Sequence, residues 1–546
     1  MAGWSWLHAA EHAWDWAADG INYRVIPELQ SSPLVLCCLC VTTVLLITVA
    51  YMRAAAADAR ALYLLDFAVF QPDEEIYKTT NEQLLNLALE SFHYPAESMK
   101  FMRRICEGTG LGPSTHIPRS LRDFNCTIKT AREEAELVIF GAIDALLEKT
   151  GIDPKAISGV VTNCSLFCPT PSFSAMIVNK YGLNKNVRSF SLGGMGCSAS
   201  IIGVDLIRAI MHDSPGLILL VSTENMTQNF YRGEERSMLM QNVLFRMGCS
   251  AVLFSNNPSY RIKGSRSDTR DAKTIYAKYK LLGLVRTHHG GSDDSYRCVY
   301  QTADQKGNIG VIINKSVPRC AGKALHDNMK IVFKKFMPVT EICRFLWHQM
   351  LSNVRKTSRK DAAPFMPNVG KIFNHLCFHT GGRAVLDEME RLLHLSEQQM
   401  AASRATLYRY GNTSSSSVWY ELAYHECQSG VKPGHKVWQI AFGSGFKCNS
   451  VVWQATDAYH MTVPTTFDKT NPDFSWDLAK QTPHLLSDYE KARDYDEECA
   501  INTQKDDDKD YKGFCSRFKD RLERDFGTKG CDVKEILAKT CTEMVN

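Results

Sequence analysis

Residues 34–52, LVLCCLCVTTVLLITVAYM, form an unbroken uncharged run between Pro33 and Arg53. About 18 or more such residues cross a bilayer, where every peptide group must be satisfied within its own segment. The run therefore predicts a transmembrane helix over 34–52. A buried core helix is usually shorter and rarely lacks all charge. A cleaved leader would begin earlier, behind basic residues. Arg53 and Arg60 follow the run, while acidic residues outnumber basic ones before it. That bias places the long C-terminal part on the cytosolic side. Ahead of the run, Trp4, Trp6, Leu7, Trp14 and Trp16 alternate with Glu11, Asp15 and Asp19. An interfacial helix and a loosely ordered start both fit this pattern.

The whole chain of 546 residues is 45% hydrophobic and 22% charged, an ordinary globular composition, and is long enough for two fused halves plus end segments. A net charge of +4, with no basic stripe interleaved with aromatics, gives no reason to expect nucleic acid. The 19 cysteines are irregularly spaced, and neither Cys37, Cys38 and Cys40 nor Cys164 and Cys168 form paired knuckles. Reduced thiols in a cytosolic domain, with no metal site, are the expectation.

Apolar periodicity predicts a helix over 130–150 stopped by Gly151, a strand over 157–164, a helix through 174–181 and a strand over 186–192. A glycine turn, a helix over 198–211 and strands over 216–222 and 250–254 follow. The second half repeats the rhythm: a strand at 284–287, a helical middle around 341–354, a strand over 372–378, a helix over 383–395, another from near Ser415 and a strand over 436–442. Alternation of this kind makes an α/β protein with a parallel or mixed sheet covered on both faces. Four segments result: an anchor, 1–60; two halves, 61–258 and 259–456; and a charged extension, 457–546, to which no chemistry is assigned.

SFSLGGMGCSASIIGVDLIRAIM, from Ser189, carries the chemistry. A strand enters Gly193, Gly194 and Gly196, and the chain leaves as an apolar-faced helix with Cys197 at the turn. Glycines permit the sharp backbone, and a helix N-terminus beside sulfur favours thiolate, with pKa values of roughly 3.5–7.5 at such positions. This is a nucleophile elbow with sulfur as the attacking atom. Taken alone, a cysteine at a turn also fits a buried structural thiol. His379 after a strand also fits a group that satisfies a carbonyl, and Asn412 fits an N-cap of the helix through Trp419 and Leu422.

The segments NCSLFCPTPSFSAMIVNKYG, SLGGMGCSAS, STENMTQN, LFRMGCSAVLFSN, LVRTHHGGSDDSYRCVYQ, HTGGRAVLDEME, YGNTSSSSVWYELAY and WQIAFGSGFKCNSVVW resemble plant-type very-long-chain 3-ketoacyl-CoA synthases, the condensing enzymes of fatty acid elongation. The resemblance runs from about Tyr63 to Trp453. It implies a thiolase-like fold of two similar α/β halves in an αβαβα layering, assembled as a homodimer. It places the nucleophile on Cys197, with His379 and Asn412 as partners from the second half. Weaker support falls on His375 and His288, and Gly443, Gly445 and Phe446 correspond to the loop that shapes the acyl cavity. The chain departs at Ser200, where glycine is common, at His289, and in its charged tail.

The implied reaction joins a long-chain acyl-CoA to malonyl-CoA with loss of carbon dioxide, through a Cys197 acyl-enzyme, and needs no cofactor. The implied setting is the endoplasmic reticulum membrane, catalytic domain to the cytosol, beside a ketoacyl reductase, a dehydratase and an enoyl reductase. Asn163, Asn225 and Asn412 head formal glycosylation sequons, and a glycan on Asn412 would block the site, which also favours a cytosolic orientation. A type III polyketide synthase-like enzyme is the alternative, as is a non-catalytic membrane scaffold. Against the former stands the 34–52 run, since those enzymes are typically soluble. A degradative thiolase would carry a second cysteine where Asn412 stands, and a Cys–His–Asn hydrolase would not consume malonyl-CoA.

Overall fold

The computed structural model describes residues 61–213, 216–261, 274–354 and 366–465. The 34–52 run, and all but nine residues of the extension, lie outside them. Among the described residues no helix is long and apolar enough to cross a membrane. The chain divides after Ala61 into two units, and the second holds the fold.

Nine strands form one mixed sheet: β1 (Tyr63–Val69), β2 (Ile157–Cys164), β3 (Arg188–Gly193), β4 (Leu217–Glu224), β5 (Gly248–Ser255), β6 (Tyr279–His288), β7 (His375–Phe378), β8 (Lys436–Gly443) and β9 (Lys447–Ala455). Their order is β7-β8-β9-β6-β1-β5-β4-β2-β3. Strands from the first half occupy one side and strands from the second the other, meeting where β1 pairs antiparallel with β6 at Tyr63↔Lys280 and Leu64↔Tyr279. Parallel pairs β2–β3, β2–β4 and β7–β8 alternate with antiparallel ones, as a mixed sheet requires. β2, β4 and β5 read as near-continuous apolar runs because both faces are covered: every residue of β4 and β5 is buried.

Helix α1 (Ile128–Thr150) begins at a Thr127–Thr130 capping box and ends on Gly151 in the left-handed region (φ 71°). It covers β1, β4 and β5. Helix α2 (Phe173–Tyr181), capped by Ser172, packs on β2 and β3. Two further helices touch strands from both halves: α3 (Ala199–Asp213) meets β2, β4 and β9, while the wholly buried α4 (Ser417–Tyr424) meets β1, β5, β7 and β8. Ser200 on α3 accepts a hydrogen bond from Trp419 Nε1 on α4 at 2.5 Å, so the departure from glycine there ties the two helices together.

An aromatic cluster fills the joint. Trp419 lies 5.9 Å from Phe67 and 6.5 Å from Trp453, and Trp453 stacks on Phe254 at 6.0 Å. Aromatic rings bury the largest area per residue and prefer such offset or tilted contacts, so this cluster binds the halves into one body. A buried ion network adds direction: Lys278 Nζ lies 3.0 Å from Asp66 and 2.7 Å from Glu426, and Lys149 lies 2.7 Å from Asp66.

The structure corrects the reading around 372–378. Ile372 ends a short helix, Val369–Ile372, started by the Asn368 side chain, and the strand begins only at His375. The apolar pattern alone did not separate one helical turn from a strand.

Candidate active site

Cys197 stands in the turn that leads from β3 into α3, two residues before the helix begins. Gly194 and Gly196 hold φ of 66° and 72°, a region that L side chains avoid. A Cβ on Gly196 would lie 2.5 Å from the Ser444 nitrogen, so the turn is pressed against the β8–β9 loop. The Gly196 N–H donates to Ser165 Oγ at 2.8 Å. Gly443 closes on the same turn, since its Cβ would meet Ser198 Oγ at 2.5 Å and Met195 O at 3.1 Å. The loop expected to shape the acyl cavity therefore touches the elbow, and His288 stands beside it, 3.8 Å from a Gly445 Cβ position. His288 Nδ1 accepts from the Gly290 N–H at 2.9 Å, while the neighbouring His289 N–H donates to Phe446 O at 2.8 Å.

The expected resting thiolate is not what the surroundings support. Burial pushes the Cys197 thiol up to about 11; the hydrogen bond from Ser414 opposes this, Glu224 adds to it and Lys447 opposes it.

The stretch 412–417 gathers the other two groups. Asn412 is buried, and its Oδ1 accepts the Ser414 N–H at 2.8 Å. This bond turns the amide so that Nδ2 is the donating end. It is also a local turn rather than the start of α4, which begins at Ser417, so the capping alternative is corrected. Ser414 holds φ 56°, and its hydroxyl donates to Glu224 at 3.1 Å. His379, immediately after β7, has Nδ1 2.7 Å from Ser417 Oγ, and that hydroxyl donates to Ser414 O at 2.9 Å. The serine's single proton is thus committed, so the network assigns the imidazole proton to Nδ1 and leaves Nε2 a lone pair. Burial holds the His379 pKa down to about 3.

His375 is not part of this group. Its Nδ1 lies 3.3 Å from His425 Nδ1 and its Nε2 lies 2.9 Å from His435 Nδ1, a separate histidine chain. Among the described residues no group of histidines, cysteines and carboxylates is arranged to hold a metal.

Ser414, Ser417, Glu224 and Ser165 were not assigned roles from sequence. Glu224 takes the Ser165 and Leu166 N–H groups at 3.3 and 2.9 Å and the Cys164 thiol at 3.1 Å, as well as Ser414. Burial raises its pKa. The signal available was a carboxylate ending an apolar strand in STENMTQN, a place where an unpaired charge would be costly.

Comparison with known proteins agrees with this architecture. Residues 54–354 match the model for FAE1/type III polyketide synthase-like proteins, and 343–456 match the chalcone and stilbene synthase C-terminal domain. The chain is 46% identical over 401 residues to 3-ketoacyl-CoA synthase 2 of Arabidopsis thaliana, covering 72% of this chain and 73% of that one. It is 45% identical over 399 residues to 3-ketoacyl-CoA synthase 11 of the same plant, covering 72% and 75%. Among solved structures, CsyB complexed with CoA-SH aligns at a TM-score of 0.54 and 18% identity, over 72% of this chain and 100% of that one. The 1,3,6,8-tetrahydroxynaphthalene synthase of Streptomyces coelicolor A3(2), a bacterial type III polyketide synthase, aligns at 0.54 over 99% of its length. These structures show a thiolase-like fold of the type III polyketide synthase kind. On the strength of the family model and the sequence identities, the chain belongs to the 3-ketoacyl-CoA synthases within the FAE1/type III polyketide synthase-like family.

Proposed function

We propose that this chain extends a long-chain acyl-CoA by two carbons with malonyl-CoA, using Cys197 as nucleophile and His379 with Asn412 as the oxyanion donors. The observation that carries the assignment is the convergence of all three on 412–417: Ser414 bonds the sulfur and the Asn412 amide, and Ser417 orients His379.

At rest the pair is thiol and neutral imidazole. His379 Nε2 accepts the Cys197 proton as the sulfur attacks the acyl carbonyl and keeps it, while coenzyme A leaves as its thiolate and is protonated by water. The acyl-enzyme then meets malonyl-CoA. The C–CO2 bond breaks, its electron pair forms an enolate, and Nε2–H of His379 and Nδ2–H of Asn412 donate to the oxygen. Removing one such donor typically costs about 10²–10³ in rate. The enolate carbon attacks the acyl carbon, the Cys197–acyl bond breaks, and 3-ketoacyl-CoA is released. Carbon dioxide loss creates the carbanion, so neither a strong base nor a cofactor is required.

The finer setting is part of the same reading. The uncharged 34–52 run anchors the enzyme in the endoplasmic reticulum membrane with this domain in the cytosol, and the reductases and dehydratase of elongation take its product. Asn163, Asn225 and Asn412 are buried, with Asn163 Nδ2 bonded to Ser222 at 2.8 Å and Asn225 Nδ2 to Ala131 O at 2.8 Å, so the folded domain has no room for a glycan at these three positions. A homodimer forms through β3, a terminal strand whose residues are nearly all exposed. An open edge of this kind favours pairing with another strand.

The test is condensation by membranes containing the full chain, with radiolabelled malonyl-CoA and a ladder of long-chain primers. Label should appear in a 3-ketoacyl-CoA two carbons longer than each accepted primer, and C197A should abolish it. Unchanged product with C197A, or no product from any primer, overturns the proposal.

A further inference from the structure

Helix α5 (Val317–Phe336) lies on β6 and β9 at the second-half side of the sheet, and α6 (Val339–Val354) follows it after Met337 and Pro338. On α6 the buried side is Glu341 and Phe345, at 1% and 4% exposure. The opposite side carries Val339, Ile342, Leu346 and Trp347, exposed at 73%, 39%, 50% and 60%. At 3.6 residues per turn these four span an arc of about 140° of one helix, a continuous apolar stripe. Scattered surface hydrophobics are normal, but a stripe of four on one helix face, with a tryptophan among them, marks a contact.

The charges around the stripe say which contact. The one carboxylate among described α6 residues, Glu341, is turned inward and neutralised by Arg344 at 2.7 Å and Lys371 at 3.9 Å. Exposed cations precede the stripe in sequence, Lys334 and Lys335 at the end of α5. An apolar face with a tryptophan, cations at its margin and no outward carboxylate matches the boundary of a bilayer with anionic headgroups. Residues 53–60, eight in all, separate the uncharged run from the described residues and span at most about 29 Å when extended.

We propose that the exposed face of α6, through Val339, Ile342, Leu346 and Trp347, rests on the anionic bilayer surface and fixes how the condensing domain faces the membrane. The inference rests on the reading of 34–52 as a membrane anchor. It assigns a second, peripheral contact, distinct from the anchor and from the β3 edge, which lies at the far end of the sheet.

A photoreactive diazirine side chain is placed at position 346 or 347 of the full chain, reconstituted in phosphatidylcholine vesicles with and without phosphatidylserine. Position 137 serves as reference, because Leu137 is surface-exposed but flanked by Glu133, Glu136 and Asp144. The expected result is at least tenfold more lipid adduct at 346 and 347 than at 137, rising with phosphatidylserine. Adducts equal to the reference overturn the proposal, as do adducts that fall instead on residues 34–52 or on a second copy. Vesicle flotation separates the two readings. A chain that floats without lipid adducts on α6 refutes this contact and leaves the anchor standing, whereas a chain that does not float refutes both.

Discussion

At the scale of single residues, Cys197 is set by a contest between desolvation and local hydrogen bonds, and desolvation wins. With its thiol pushed up to about 11, alkylation by iodoacetamide should accelerate about tenfold per pH unit between about pH 6 and 10. Mass spectrometry of the Cys197 peptide against pH reads this directly, and a plateau below pH 7 would show a resting thiolate instead. The three side chains proposed to react stand out in sequence because each sits in a contiguous motif with a characteristic neighbour: Gly196 before Cys197, Thr380-Gly381 after His379, Gly411 before Asn412. Their protonation was not legible. The tautomer of His379 depends on Ser417, 38 residues away, and the thiol on Glu224 and Ser414, which only folding brings together. Cys448 is fully buried in the second-half core.

At the scale of elements, the elbow is a strand, a glycine turn and a helix held from outside by the β8–β9 loop. The two positive-φ glycines separate strain from crowding. G194A meets no atom within 4 Å and should cost only the left-handed backbone penalty, roughly 1–2 kcal/mol. G196A adds a Cβ 2.5 Å from the Ser444 nitrogen and should abolish condensation as well as lower Tm. Paired thermal melts and turnover measurements check this; equal losses for both variants would refute the crowding argument. The histidine chain links β7, the turn after α4 and β8. Burial holds His375 at about 3 and His425 at about 4, below the ordinary 6.5. Below pH 6.5 the unfolded chain therefore binds protons that the native one refuses, and stability contributed by these groups is lost as pH falls from about 6.5 toward 3–4. Glu134, pushed up to about 7 by burial, pulls the other way between 4.5 and 7, so the test is differential. H375Q should lose about 1.4 kcal/mol less per pH unit than the parent between about pH 6 and 4, read from denaturant unfolding. Parallel slopes would refute it.

At the scale of the whole molecule, the joint between halves binds the domain and the exposed end of the sheet carries the proposed dimer contact. A proline at Ser191 spoils β3 as a pairing strand and should convert the proposed dimer to a monomer in light scattering. A variant that stays dimeric would place the interface elsewhere. Strand and helix identities along the chain followed from apolar periodicity and glycine stops. β2 and α1 came out almost residue for residue, because cap and core signals coincide there. Periodicity is local, though. It did not show that β3 would be an open edge while β7, at the other end, is fully buried, since exposure depends on what else packs nearby.

Sequence by itself determined the element order and the family, and it singled out the three side chains proposed to react, because backbone propensity, apolar period and motif chemistry are written in neighbouring residues. Tertiary structure alone decided that Ser414 and Ser417 bind the site together, that desolvation raises the Cys197 pKa, that His375 bonds to His425 and His435, and that α6 presents an apolar face outward. Those properties arise from desolvation and from hydrogen bonds between segments far apart in the chain, and such energies exist only once the segments have met.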